Sequence, residues 1–204
     1  MMRNVLEHRE IARLSAALAA HRPLAIETSP DEPTLHAAVM VLLRPNYLDE
    51  LELLLIKRAE YEGDPWSGHV ALPGGRREPD DQSLERTAVR ETWEETAIDV
   101  ARDGAVLGAL DDVSPRTIAV RQVVVRPYVA AVVSDVQIVE SPEVAAAFWV
   151  PLTTLRDTSA WITAEVVAHG RSLRVPAFAH GEHVVWGLTE RILRAFLRLF
   201  DAEG

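Results

Sequence analysis

The stretch GGRREPDDQSLERTAVRETWEET, residues 74–96, decides how this chain is read. It opens on a diglycine turn, crosses a Pro- and Asp-rich loop, and ends in a helix with Glu91, Glu94 and Glu95 inside five residues. The helix is expected from about Gln82 to Thr96, with Asp80 or Asp81 capping its first amides. At about 100° per residue from Leu84, Ala88, Thr92, Val89 and Trp93 form one arc that faces the core, and Glu91 and Glu95 border it. At the edge of a core two carboxylates about 4 Å apart repel by about 4 kcal/mol at an effective dielectric near 20. Arg90 relieves Glu94 through an i,i+4 pair, which leaves Glu91 and Glu95 one turn apart and in want of a cation. Thiol-free oxygen ligands at that spacing suit Mg²⁺ or Mn²⁺. On a solvated face the same repulsion costs only about 0.2–0.5 kcal/mol per pair, so the helix is weighed with the loop before it. There Pro73 fixes the backbone, and Gly74 and Gly75 let main-chain atoms approach a ligand with no side chain between.

Working outward, His36 begins two short apolar runs, HAAVMVLLR and LELLLIKR, separated by PNYLDE, which read as neighbouring strands. AVLGAL and VRQVVVRPYVAAVV are further strands, and SPEVAAAFWVPLTTL is a strand leading into a short helix. TAEVVAH, SLRVPAFAH and EHVVW, divided by HGR and HGE turns, form a small antiparallel set. Helices close both ends. Leu6, Ile11, Leu14 and Leu18 give an amphipathic N-terminal helix that docks on the body, and LTERILRAFLRLF carries a stripe from Leu188 to Phe200. With no βαβ period and no internal repeat, the pattern is a mixed α/β layered domain. The helix and linker occupy residues 1–34 and the main domain 35–204.

Composition narrows the function. The 21 basic and 31 acidic side chains give 21 − 31 = −10, which argues against a protein that grips nucleic acid by bulk electrostatics. No cysteine is present, so disulfides, thiolate metal sites and cysteine nucleophiles are excluded. No apolar run reaches the roughly 20 residues that span a bilayer, and MMRNVLEHRE lacks a signal-peptide core; a cytoplasmic protein without a membrane partner is expected. The histidines form no zinc pattern, Ser67 sits in no nucleophile elbow, and no phosphate-binding GxGxxG or P-loop occurs.

The loop and helix together resemble the Nudix hydrolases, whose box reads G-x5-E-x7-R-E-U-x-E-E-x-G-U, U being a bulky apolar residue. Gly74 and Gly75 match its opening, and Arg90, Glu91, Glu94 and Glu95 its most informative part, with one extra residue between. The insertion puts Gln82 at the first glutamate's strict place, so Asp81 or Glu78 stands in for it. Thr92 replaces an apolar residue, and Ala97 replaces the glycine that permits a left-handed helix stop, so the helix is expected to end differently. The longer spacing is similar to the coenzyme A pyrophosphatase branch, whose second signature LLTxR[SA]-x3-R-x3-G-x3-FPGG is met by LLIKRA (Leu54–Ala59) and GHVALPGG (Gly68–Gly75). Leu72 replaces its phenylalanine, and no arginine interrupts EYEGDPWS.

The resemblance implies a Nudix-type α/β/α sandwich around a mixed β-sheet. It also implies metal-dependent hydrolysis of a nucleoside diphosphate linked to another moiety, a small-molecule nucleotide. Coenzyme A or its thioesters lead, giving 3′,5′-ADP and (acyl)phosphopantetheine. ADP-ribose, dinucleoside polyphosphates and damaged nucleoside triphosphates are alternatives, as is a module that binds a nucleotide without turning it over. Glu91, Glu95, Glu94 and a carbonyl of Gly74 or Gly75 are the implied ligands of Mg²⁺ or Mn²⁺. Glu94 is the first candidate base and Glu143 the second, Arg90 orients a glutamate, and Lys57, Arg58, Arg76 and Arg77 are candidate phosphate donors. Trp66 and Trp186 pack or flank a base or acyl arm, and the apolar terminal helices leave room for a homodimer.

Overall fold

The computed structural model describes residues 5–28, 33–62, 66–115, 123–168 and 171–202. Helix α1 (Arg9–Ala20) precedes strands β1 (Leu35–Pro45), β2 (Leu51–Arg58), β3 (Val70–Ala71) and β4 (Gly74–Arg76). Helices α2 (Leu84–Thr96) and α3 (Val100–Asp103) lead to β5 (Gly104–Ala109), β6 (Val123–Val132), β7 (Val144–Pro151) and α4 (Leu152–Arg156). The chain ends with β8 (Trp161–Ala168), β9 (Arg171–His180), β10 (His183–Trp186) and α5 (Gly187–Asp201). No helix among the described residues is long and apolar enough to cross a membrane.

Seven strands form one mixed sheet. β1 runs parallel to β6 from Leu35↔Val123 to Leu43↔Ala131, and β5, β2 and β7 add antiparallel. β1 is apolar from Ala37 to Leu43 because both its faces are covered there. Ala38, Met40 and Leu42 pack with Leu54 and Ala88 on the α2 side; Val41 and Leu43 join Ile11, Leu14, Ile192 and Phe196 on the side of α1 and α5. The result is the expected α/β/α sandwich. β8, β9 and β10 form the expected small antiparallel sheet; residues 169–170 of the HGR turn, 120–122 at the start of the β6 run and 63–65 of EYEGDPWS lie outside the described residues.

The hairpin of β1 and β2 positions the site. The two strands pair only near their turn, from Leu43↔Leu53 to Pro45↔Leu51, and then diverge. Residues 70–76 fill the gap: β3 pairs with β2 through Ile56↔Ala71, and β4 pairs with β1 through Ala38↔Gly75. The Met40 amide donates to the Pro73 carbonyl at 2.8 Å and closes the apex. Gly74, at φ +150°, is required there, since a Cβ would stand 2.3 Å from the Ala38 carbonyl oxygen.

Helix α2 departs from the sequence expectation at both ends and in its facing. It begins at Leu84, capped by Ser83, whose hydroxyl accepts from the Arg86 amide; neither Asp80 nor Asp81 caps it. It ends on Ala97 in the left-handed conformation at φ 58°, the stop expected of glycine. An alanine there bears a penalty of about 1–2 kcal/mol that glycine escapes, offset in part by glycine's greater unfolded-state entropy. Ala97→Gly is therefore expected to raise stability by about 0.5–1 kcal/mol, read as a higher urea midpoint with an unchanged slope. The buried face comprises Thr87, Ala88, Thr92, Glu95 and Thr96, whereas Trp93 is 57% exposed. Small side chains let the helix close on β1 and β4, and a tryptophan at that seam would hold it off. Buried Thr92 satisfies its hydroxyl by donating to the Ala88 carbonyl at 2.7 Å.

Candidate active site

Asp81 anchors the loop to the helix. Its carboxylate, 7% exposed, accepts from Arg90 Nε at 3.1 Å through Oδ1, and from Arg90 Nη2 at 3.0 Å, the Glu78 amide at 2.9 Å and Thr87 Oγ1 at 2.9 Å through Oδ2. The Arg90 guanidinium, followed by these donors, holds the carboxyl far below the usual carboxylate range. Of the two candidates to replace the first glutamate, Asp81 makes the bidentate contact; Glu78 stands 3.9 Å from Arg90 Nη1.

Arg90 in turn gathers the glutamates. Its Nη1 lies 2.9 Å from Glu94 Oε2, the expected i,i+4 pair, and 3.0 Å from Glu91 Oε1, while Nη2 donates to the Arg76 carbonyl at 3.1 Å. The expectation that Glu91 lacks a cationic neighbour is thus corrected: the side chains splay enough for Arg90 to reach both. Burial still raises the Glu91 pKa, against the opposing pull of Arg90. Glu95 is 4% exposed, and its Oε2 accepts from the Gly74 amide at 2.8 Å. Burial pushes its pKa up to about 8, opposed by the Gly74 hydrogen bond, and the Glu91 charge adds to the rise.

The remaining candidates lie around this pair. Glu143 is exposed, yet its charge raises the pKa of both Glu91 and Glu95. Its loop is held by bonds from the Ala59 amide to the Glu143 carbonyl at 2.8 Å, and from the Ser141 amide to the Glu95 carbonyl at 3.2 Å. Tyr61 Oη donates to the Pro142 carbonyl at 2.9 Å, a brace that no local sequence signal announces. The Arg58 charge acts favourably on Glu95. Lys57, the next residue along β2, is half-buried where the β2–β7 register shifts between Lys57 and Arg58. The Arg77 guanidinium donates to the Asp81 carbonyl at 3.0 Å and so braces the loop, and Arg76 is exposed. Trp186 packs with its ring 4.7 Å from that of His69.

A divalent cation, implied by the box, fits these residues. Among the described residues no three carboxylates or imidazoles already stand as a metal's ligand shell, because Glu91 and Glu94 turn to Arg90 and Glu95 to the Gly74 amide. The Glu91 carboxylate nevertheless occupies the space that a side chain at Gly75 would take, since a Cβ there would come within 2.5 Å of Glu91 Oε1. The buried Glu95 and half-buried Glu91 carboxyls, both of raised pKa, beside a bare backbone turn form an all-oxygen set that positive charge would stabilise. Gly75→Ala is expected to displace only the flexible Glu91 head, leaving the melting temperature within a few degrees. It should weaken Mn²⁺ binding by about 10–100-fold, measured by paramagnetic titration; unchanged affinity would remove Gly75 from the site.

Comparison with known proteins identifies the family. The NUDIX domain profile matches residues 34–170. A Nudix hydrolase named NudL and described as uncharacterized, from Yersinia pestis (strain Pestoides F), is 34% identical over 161 residues, 78% of this chain and 76% of that protein. NudL of Yersinia pseudotuberculosis serotype O:1b (strain IP 31758) gives the same figures. Among solved structures, a MutT/nudix family protein from Enterococcus faecalis superposes with TM-score 0.58 at 24% identity, over 86% of this chain and 66% of that one, slightly under two thirds of its length. The NUDIX domain of Shewanella oneidensis NrtR, complexed with ADP ribose, superposes with TM-score 0.50 at 25% identity, over 62% of this chain and 80% of that one. With the box folded as a loop and helix held by Asp81 and Arg90, and the profile spanning most of the sheet, the chain belongs to the NUDIX domain family and is a pyrophosphohydrolase of that family.

Proposed function

We propose that this chain cleaves the pyrophosphate of coenzyme A or its thioesters with Mg²⁺ or Mn²⁺, releasing 3′,5′-ADP and (acyl)phosphopantetheine. The observation that carries the reading is the pairing of buried Glu95 with the Gly74 amide beside the Gly75 hollow that takes the Glu91 carboxylate. When bound, the cation supplies charge neutralisation to the pyrophosphate and acidifies an attacking water. In this reading Glu91, Glu95 and a Gly75 carbonyl hold it, with Glu94 completing the set or accepting the water's proton and Glu143 the second candidate base. Arg90, saturated by protein acceptors, does not touch substrate and instead fixes the heads of Glu91 and Glu94. Lys57, Arg58, Arg76 and Arg77 offer donors to phosphate oxygens.

The coenzyme A preference is supported by how the second signature folds. LLIKRA and GHVALPGG lie side by side, joined by the Ile56↔Ala71 pair and by the Arg58 amide donating to the His69 carbonyl at 3.0 Å. A second reading, binding or cleavage of ADP-ribose, is favoured by the likeness to a NUDIX domain complexed with ADP ribose.

The test is a panel of coenzyme A, acetyl-coenzyme A, ADP-ribose, diadenosine polyphosphates and nucleoside triphosphates, each with Mg²⁺ and with Mn²⁺ and resolved by chromatography. Release of 3′,5′-ADP as the fastest reaction supports the first reading, and AMP from ADP-ribose the second. Binding without cleavage throughout would mark a nucleotide-binding module and overturn both hydrolytic assignments.

A further inference from the structure

Glu143 ends a connection, residues 133–143, that belongs to no helix or strand. It is exposed, yet its charge acts on both Glu91 and Glu95. Converging like charges push such a loop outward, and water is free to receive an exposed carboxylate. Holding Glu143 near the other two therefore takes bonds to the chain around it.

The loop is tied on two sides. Towards α2, the Val139 amide donates to the Thr96 carbonyl at 3.0 Å and the Ser141 amide to the Glu95 carbonyl at 3.2 Å. Towards the end of β2, the Ala59 amide donates to the Glu143 carbonyl at 2.8 Å, and Tyr61 Oη donates to the Pro142 carbonyl at 2.9 Å. Pro142 has no amide, so its carbonyl is the one hydrogen-bonding group by which that residue can be held. Tyr61 is itself fixed, its own amide donating to Ser67 Oγ at 2.8 Å. At 50% exposure Tyr61 adds little to any core; what it supplies is a hydroxyl at the end of a long side chain. The amide bonds survive a change of side chain, whereas Tyr61→Phe removes this tie alone.

We infer that Tyr61 is a positioning residue for the hydrolytic site: through the Pro142 carbonyl its hydroxyl keeps Glu143 within electrostatic reach of Glu91 and Glu95. The inference rests on the proposed hydrolysis, in which Glu143 is the second candidate base and adds negative charge beside the cation. Without the hydroxyl the loop keeps its amide bonds, but the residue before Glu143 is released. The carboxylate then samples the outward positions that repulsion favours, and the share of molecules with Glu143 in place falls.

Tyr61→Phe should lower kcat on the fastest substrate of the panel by about 10-fold, the scale of losing a partner that orients a functional group. KM should stay within about twofold, because Tyr61 does not touch substrate, and the melting temperature within a few degrees, because water replaces an exposed bond at little cost. Glu143→Gln should lower kcat at least as much, and Tyr61→Phe added to it should cost nothing further, since the hydroxyl acts through that carboxylate. The same cycle read as Mn²⁺ affinity by paramagnetic titration needs no turnover. There Glu143→Gln should weaken binding about threefold, the scale of one charge acting on a divalent ion through water, Tyr61→Phe by less, and the pair by no more than Glu143→Gln. A wild-type chain that cleaves no member of the panel would overturn the hydrolytic reading and leave the Mn²⁺ cycle to decide the role of Tyr61. Unchanged kcat and Mn²⁺ affinity in Tyr61→Phe, a loss that persists undiminished on top of Glu143→Gln, or a raised KM in place of a lowered kcat would each overturn the assignment.

Discussion

Glu95→Gln is expected to lower metal-dependent hydrolysis by about 10³-fold, the scale of losing one charged contact in a water-poor catalytic centre, while leaving the protein folded. Glutamine keeps the shape and an oxygen that still accepts from the Gly74 amide at Glu95's present 2.8 Å geometry, so the change removes charge and little else. Because Glu95 is almost fully buried on the helix face that closes on β4, no neighbouring carboxylate can take its place. Full activity in this variant would move the reacting centre elsewhere.

The same variant carries a pH signature. In the metal-free protein burial pushes Glu95 from an ordinary 4.5 to about 8, so between those values the folded chain binds a proton that the unfolded chain has released. Stability of the metal-free protein therefore falls as pH rises through that window, by at most about 1.4 kcal/mol for each pH unit crossed. A divalent cation favours the ionised carboxylate, so Mg²⁺ should raise the wild-type melting temperature more at pH 8 than at pH 6. In Glu95→Gln the metal-free decline should flatten and the Mg²⁺ response should shrink at both pH values. Thermal melts with and without chelator measure this, and an unchanged Mg²⁺ response in the variant would exclude Glu95 as a ligand.

What the sequence revealed and what it withheld divide along contact range. The apolar runs of β1 and β2, the stripe of α5 and the Arg90–Glu94 pair are local patterns, and each is present where its spacing put it. The divergence of β1 from β2 is not local. It depends on residues 70–76 entering between two strands whose own composition says only that they pair near their turn. The facing of α2 escapes periodicity for a related reason. Periodicity ranks Trp93 as the largest apolar group, whereas close approach to a sheet selects the small Ala88 and Thr92 and exposes the tryptophan. The loop from 139 to 141 then takes the last helix carbonyls, Thr96 and Glu95, through the amides of Val139 and Ser141. Ala97 shows the limit of residue preference itself, since a left-handed stop demanded by the following chain overrides the cost of a Cβ.

Asp81→Asn is expected to destabilise the protein by about 2–4 kcal/mol and to lower turnover with it, because removing one partner of a buried ion pair leaves the other uncompensated. The reason lies in the donors that surround the carboxylate: Arg90 Nε, Arg90 Nη2, the Glu78 amide and Thr87 Oγ1 all point at it. An asparagine amide faces at least one of these with a second donor whichever way it is turned, so even an isosteric change leaves a buried clash. Released from Asp81, Arg90 no longer holds its Nη1 between Glu91 and Glu94, and the two carboxylate heads lose their restraint. The pH dependence has the opposite sign to that of Glu95. Arg90 keeps the Asp81 pKa low in the folded state, so its stabilisation is present above the unfolded carboxylate's value of about 4 and fades as pH falls below it. Urea unfolding at pH 7 and pH 2.5 separates the two: the wild-type advantage over Asp81→Asn should be large at pH 7 and smaller at pH 2.5. An advantage that stays constant would mean that the Asp81–Arg90 pair does not hold the loop to the helix.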